Sequence, residues 1–229
     1  MRVHAAAITR DELSWPAERL PAIPSYELSG VVAEVSPDVR DVTAGDEVFA
    51  LTPFDRDGVA AEYALVPAAV LAAKPRTLTH VESAALTLAG LSAWQGLFEH
   101  GQLREGERVR VLGSSGGVGH LAVQLAGEQL AAADERCDLV FDTVGGQAIA
   151  GSLCTGHRVV SVAEQMDGAT YFVVEPSRAQ LLELARLADA GALKPAIDSV
   201  FPLQEAREAF ARVAERGKRG KVVLRVAID

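Results

Sequence analysis

Residues 109–120 read Val-Arg-Val-Leu-Gly-Ser-Ser-Gly-Gly-Val-Gly-His, an apolar strand candidate that runs through glycines into a helix candidate. No other segment constrains the fold as much. A strand that must turn at once into a helix needs residues without a Cβ, because the turn is tight and the helix packs hard on the strand. The exposed backbone N–H groups and the positive end of the helix dipole then make a seat for an anion, and a dinucleotide pyrophosphate is the expected occupant. The spacing is GxxGGxG rather than GxGxxG, so the motif draws its weight from its context, strand before and helix after. The alternative at this point is a glycine turn that serves packing alone. Ser115, Gly116, Gly117, Val118 and Gly119 are the candidate cradle. Spacing also offers Asp142, 23 residues past Gly119, as a carboxylate for an adenosine ribose.

The flanking sequence alternates in the same way. Strands are expected over Arg108–Leu112, Asp138–Phe141, Arg158–Val162 and Thr170–Val174, with a helix from about Val118, which is the pattern of a parallel α/β sheet. The first third reads as β-rich, with strands over Glu27–Val35, Glu47–Leu51 and Ala60–Val66 and a turn at Gly45-Asp46. Apolar residues at helical spacing over His80–His100 predict one or two helices, opened by Thr79 as N-cap and interrupted by Gly90. Toward the end, a helix over Ser177–Ala190 closes at Gly191 and a strand follows over Ala196–Phe201. A second helix over Leu203–Arg216 closes at Gly217, and Lys221–Val226 forms a last strand.

Composition removes several classes of function. With 229 residues, 49% hydrophobic and 23% charged, the chain is globular. A net charge of −9 and the lack of any basic stretch interleaved with aromatics argue against nucleic acid. Cys137 and Cys154 show no CxxC or Cys/His spacing, which argues against a disulfide framework and against a zinc ribbon and makes a reducing cytoplasm the expectation. His4, His80, His100, His120 and His157 form no ligand spacing and are read as structural or exposed. No Ser/His/Asp constellation for a hydrolase is present. The N-terminus lacks the apolar core of a signal peptide, and every apolar run falls short of a membrane span, so neither secretion nor membrane insertion is expected.

The order of Gly30-Val31-Val32, Gly45-Asp46-Glu47-Val48, Ala60-Ala61-Glu62-Tyr63, Leu88-Ala89-Gly90-Leu91-Ser92-Ala93-Trp94, the glycine loop, Asp142-Thr143-Val144-Gly145-Gly146 and Arg219-Gly220-Lys221-Val222-Val223-Leu224 resembles the medium-chain dehydrogenase/reductase superfamily. Within it, the chain is most similar to the zinc-independent quinone oxidoreductase (zeta-crystallin-like) branch. The resemblance implies an α/β protein with a GroES-like, β-rich catalytic domain (1–90 and 175–229) and a Rossmann-type parallel-sheet domain (91–174), with the cofactor in the cleft between them. It implies NADPH as cofactor, with NADH not excluded, a small-molecule quinone or enone substrate, and a homodimer. The alternative is a cofactor-binding or structural protein of the same fold with weakened catalysis. Zinc-dependent relatives carry Gly-His-Glu before the GVV strand and a cysteine near the first helix; here those places read Ser25-Tyr26-Glu27 and Ile8-Thr9-Arg10-Asp11, so no metal is expected.

The same resemblance nominates individual residues. Thr9, Tyr63 and Ser92 are the catalytic candidates: Thr9 stands where the branch often has an asparagine near substrate, Tyr63 is placed to donate to a substrate carbonyl, and Ser92 replaces a threonine whose hydroxyl lies near the nicotinamide. The competing readings are a solvated turn for Thr9, a core aromatic for Tyr63 and a helix N-cap for Ser92. Thr143, Val144, Gly145, Phe172 and Lys221 are added to the cofactor-binding set, with a solvated lysine as the alternative for Lys221. Tyr171–Val174 is expected to be the last sheet strand and a dimer edge. The chain departs from the family in its Rossmann part. Only eleven residues separate Ala126 from Asp138, where two further βα units would need about 40. Loops near Trp15–Leu20, Ser152–His157 and Gln165–Gly168 are short as well. All the losses fall at loops or whole units, so segments of a longer chain are expected to be missing here, rather than the gene product being trimmed. By this alignment Asp142 ends the family's fourth strand and is not the ribose carboxylate.

Overall fold

A computed structural model describes residues 1–15, 21–132, 136–149, 157–215 and 217–227. The chain divides into two compact units, one formed by Met1–Leu88 with Glu175–Asp229 and the other by Ala89–Val174.

The first unit is built on a six-stranded sheet. Its strands are β1 (Arg2–Ile8), β2 (Glu27–Val31), β3 (Glu47–Leu51), β4 (Ala72–Ala73), β9 (Ile197–Pro202) and β10 (Lys221–Arg225), in the order β4-β3-β2-β1-β10-β9. Every pairing is antiparallel except β9 with β10. The terminal strand thus returns to the first, with Ala5 opposite Arg225 and Ile8 opposite Val222. Alternation along β1, reset by a register shift between Val3 and Ala5, sends Val3, Ala6 and Ile8 into one core with Leu28, Val48 and Leu224, while Ala5 and Ala7 face a second core made by Ala84, Ala85 and Val223. The small side chains on that second face let the helix α1 (His80–Trp94) lie close. α1 opens on a capping box: Glu82 N–H donates to Thr79 Oγ1 at 3.3 Å, and Glu82 Oε2 accepts from Thr79 N–H at 2.9 Å. Helix α3 (Arg178–Asp189) begins at Ser177, whose side chain accepts from the Gln180 N–H. Helix α4 (Ala206–Ala214) packs Ala209 and Val213 on the first core.

The second unit holds a four-stranded sheet, β5 (Val109–Leu112), β6 (Leu139–Asp142), β7 (Arg158–Ser161) and β8 (Thr170–Tyr171), all parallel and in sequence order. Helix α2 (Gly119–Ala126) follows β5. On the free side of β5 a single bridge joins Val109 to Leu130. Four strands are what the sequence offers.

Several expectations are corrected here. β1 is a full strand that the sequence reading did not assign. Ala60–Val66 is not a strand: Tyr63 makes one isolated bridge to Arg2 and its side chain is 64% exposed, so it is no core aromatic. Gly90 does not interrupt α1, because the buried packing around it outweighs the intrinsic cost of a mid-helix glycine, about 1 kcal/mol. The helix continues instead into a π-helical segment, Gln95–His100. Among the described residues, no helix is long and apolar enough to cross a membrane. Cys154 and part of the Trp15–Leu20 and Ser152–His157 loops lie outside the described residues.

Candidate functional site

Each unit gathers some of the residues singled out above. In the second unit the chain leaves β5 at Leu112 and turns through Gly113, whose φ of +80° disfavours a side chain. A Cβ on Gly113 would stand 2.4 Å from Val144 Cγ2 and 2.6 Å from Thr143 Oγ1; one on Gly119 would stand 2.1 Å from the Gly113 carbonyl oxygen. Only glycines let this loop fold back on itself and lie against the Thr143–Val144 turn, itself pinned by Thr143 Oγ1 donating to Leu112 O at 2.7 Å. Ser115 is exposed, and Gly116, Gly117 and Val118 are half-buried at the carboxyl end of β5. α2 starts at Gly119 after Val118, and no side chain caps it. The His120 and Leu121 N–H groups already donate to the Gly116 and Val118 carbonyl oxygens, which leaves those of Gly117, Val118 and Gly119 as the candidate donors to an anion. His120 steadies the loop, with Nδ1 2.8 Å from the Gly116 carbonyl oxygen. That oxygen only accepts, so Nδ1 carries the hydrogen.

Asp142 is fully buried at the end of β6. Its Oδ1 accepts from the N–H groups of Val144 and Gly145 at 3.1 Å each, and its Oδ2 accepts from Ser161 Oγ at 2.7 Å. This carboxylate shapes the 143–145 loop from inside. Phe172 is buried and stacks on His100 at 4.3 Å, so its ring is committed to packing.

The first unit holds a cluster that the sequence did not reveal. Lys221 Nζ donates to Glu27 Oε1 at 2.6 Å and to Thr9 Oγ1 at 2.8 Å, while Thr9 Oγ1 donates to Glu27 Oε1 at 2.8 Å. Glu12 accepts from the Thr9 N–H at 2.8 Å and the Ser25 N–H at 2.9 Å. Exposure is 0% for Glu27, 2% for Glu12 and 5% for Lys221. Burial pushes the Glu12 carboxyl up to about 8; the Thr9 N–H and the Lys221 ammonium oppose this, and the Glu27 carboxylate adds to it. Lys221 is therefore not solvated, and Thr9 is no solvated turn. Beside the cluster, the Tyr26 ring is buried and lies 5.0 Å from Phe54 and 6.1 Å from Trp15.

Comparison with known proteins decides the family. Residues 1–76 match the Alcohol dehydrogenase GroES-like domain, and residues 120–224 match the Zinc-binding dehydrogenase family. The chain is a medium-chain dehydrogenase/reductase. It is an α/β oxidoreductase with a GroES-like part and a Rossmann-like parallel sheet. It is 29% identical to "Probable zinc-binding oxidoreductase, mitochondrial" of Arthroderma benhamiae, with 99% of this chain and 87% of that protein covered. That alignment runs over 290 positions against this chain's 229 residues, so segments of the relative have no counterpart here. It is 28% identical to "NAD(P)H oxidoreductase RTN4IP1, mitochondrial" of Mus musculus, covering 91% of this chain and 72% of that one. Among solved structures, the quinone oxidoreductase from Coxiella burnetii matches with a TM-score of 0.85 at 26% identity, covering 99% of this chain and 89% of that chain.

In this medium-chain dehydrogenase/reductase the remaining candidates are scattered. Ser92 lies inside α1 and is fully buried, which rules out the N-cap reading; its Oγ has no hydrogen-bond partner among the described residues. A hydroxyl in that state costs about 1–3 kcal/mol unless a ligand or water satisfies it. Tyr63 presents its phenol to solvent. The structure thus joins Thr9 with Lys221, and Thr143, Val144 and Gly145 with the glycine loop. Glu12, Glu27 and His120 are the functional candidates that the sequence reading passed over. Glu12 carried no motif, whereas Glu27 stands at the glutamate of the Gly-His-Glu pattern and His120 lies one residue past the last loop glycine, so those two could have been flagged by position.

Proposed function

We propose that the protein is an NAD(P)H-dependent oxidoreductase that passes hydride to a quinone or an α,β-unsaturated carbonyl without zinc. The observation that carries this reading is the uncapped α2 terminus behind a loop in which Gly113 and Gly119 leave no room for a Cβ. Gly117, Val118 and Gly119 would hold the pyrophosphate through backbone N–H groups, with Ser115 at the rim; the Gly116 N–H already donates to the Gly113 carbonyl oxygen at 2.9 Å, so Gly116 would line the cradle without donating. Thr143, Val144 and Gly145 border the carboxyl end of the same strands, where ligands of open α/β sheets bind. The bound nicotinamide supplies the hydride. The chain's part is to orient it, and the unsatisfied Ser92 hydroxyl is the side chain in the same unit best suited to accept a hydrogen bond from it or donate one. NADPH is the cofactor we favour, and NADH is the second. The test is substrate-dependent loss of the reduced nicotinamide's near-ultraviolet absorbance across quinones, enones and alcohols.

The donor set does not suit zinc. Tyr26 stands in the aromatic group with Phe54 and Trp15, the Glu27 carboxylate already holds the Lys221 ammonium, and no three His, Cys, Asp or Glu side chains converge among the described residues. Elemental analysis of the purified protein is expected to find well under one zinc per chain; a stoichiometric value would overturn this part of the proposal. The word "zinc-binding" in a relative's name belongs to that relative.

Asp142 separates two views of cofactor choice. Because its oxygens are satisfied within the 142–145 loop and by Ser161, Asp142→Asn is expected to leave the NADH/NADPH preference unchanged while lowering stability by about 1–3 kcal/mol. A swing toward NADPH of about tenfold, ~1.4 kcal/mol, would make it a ribose ligand after all.

One observation favours a second reading, a cofactor-binding protein with weakened catalysis: β5, which feeds the loop, is the edge strand of a four-stranded sheet. NADPH binding without turnover on any acceptor would favour it. For partners, the reading is a homodimer formed through the β8 edge, supported by Tyr171 and Val173 at 41% and 58% exposure, with no nucleic acid and no membrane. A reducing compartment suits the free, buried Cys137. The cytoplasm is the reading taken from the sequence, while the fungal and mouse relatives are named as mitochondrial.

A further inference from the structure

Glu12, Glu27 and Lys221 bring two carboxyl groups and one ammonium into a space where none of the three is more than 5% exposed. A buried set with a net charge is costly, because desolvation is repaid only when charges are paired and hydrogen-bonded. The hydrogen bonds assign the pairing. Lys221 Nζ sits on Glu27 Oε1 at 2.6 Å and on Thr9 Oγ1 at 2.8 Å, whereas Glu12 receives two neutral backbone N–H groups and no ammonium contact. Among the described residues, the charged groups that face Glu12 are Glu27 from β2 and Lys221 from β10. Once Glu27 and Lys221 are paired, an ionised Glu12 would be the excess charge.

We propose that the three residues form a site for a single proton: Glu12 binds it at neutral pH, and the Lys221 ammonium serves as the resident cation of the carboxylate pair, in place of an external metal ion. The proposal stands apart from the nucleotide reading, since it concerns only the first unit and its test needs no cofactor. Its consequence is a count set by charge. Glu12 is ionised in the unfolded chain above its ordinary value of 4.5 and protonated in the folded one up to about 8. Between these values the folded state binds the extra proton, so stability falls as pH rises through the window and the contribution is lost above it.

The experiment measures protons released on unfolding the whole chain at a pH midway between 4.5 and 8, from calorimetry in buffers of different ionisation enthalpy. Relative to the summed surface groups, the unaltered protein should release one proton that Glu12→Gln does not. Glu27→Gln should also abolish it, because Glu12 would then ionise against Lys221. Lys221→Met should raise it to two. Release that persists in Glu12→Gln would overturn the assignment to Glu12. Release that persists in Glu27→Gln would show that burial alone, and not the ammonium's charge, sets the count, and would overturn the site as proposed. Should Lys221→Met not fold, the unaltered protein and the two glutamine variants still decide the question.

Discussion

Lys221→Met is expected to destabilise the protein by about 3–5 kcal/mol, the cost of leaving the buried Glu27 carboxyl without its cation, so that it must take up a proton to stay buried. Glu27 on β2 is fully buried and accepts from Lys221 on β10 at 2.6 Å, so bulk solvent does not screen the carboxyl once the ammonium is gone. The double variant Lys221→Met/Glu27→Gln should recover most of the loss, because a neutral amide can still accept from Thr9 Oγ1. Denaturant unfolding of the single and double variants at neutral pH measures both. If the double variant is no more stable than the single, the lysine acts through its methylene packing and not through its charge.

The second large effect belongs to the glycine loop. Gly117→Val should weaken NADPH binding about a hundredfold, ~2.8 kcal/mol, while changing stability by less than about 1 kcal/mol. Gly117 is half-buried and lies outside the positive-φ set, so its φ does not bar a side chain, and the added methyls would occupy the space at the uncapped α2 terminus. Gly119 could not serve as the probe, since its Cβ would meet the Gly113 carbonyl at 2.1 Å and disturb the loop itself. Titration calorimetry with NADPH, beside thermal unfolding, separates the two effects. Unchanged affinity would put the pyrophosphate elsewhere.

Local pattern was legible where each element carries its own signal. The loop glycines, the Thr79 and Ser177 caps and the Lys221–Val226 strand all announce themselves through turn chemistry, capping or β-branched runs. β1 did not, because Val-His-Ala-Ala-Ala is poor in β-formers and becomes a strand only through β2 and β10 on either side of it. The Ala60–Val66 segment failed in the opposite direction: its composition suits a strand, yet its one pairing is the bridge from Tyr63 to Arg2. The candidate site shows the same division. The glycine loop between β5 and α2 is local and was readable, whereas the Glu27–Lys221 pair joins residues 194 apart, and no spacing rule relates them. Lys221 therefore read as a solvated or cofactor-facing lysine, and Glu12 did not stand out at all.

The central claim is hydride transfer by a nicotinamide held at the Gly113–Gly119 loop. The direct measurement is the fate of deuterium from NADPH labelled at the transferring carbon, with an α,β-unsaturated ketone as acceptor. The label is expected at the product's β-carbon, with the α-hydrogen drawn from solvent, and the Gly117→Val variant should lose this transfer in step with its lost NADPH affinity. NADPH that binds but leaves every quinone and enone unreduced, or label that never reaches a carbon of the product, would contradict it.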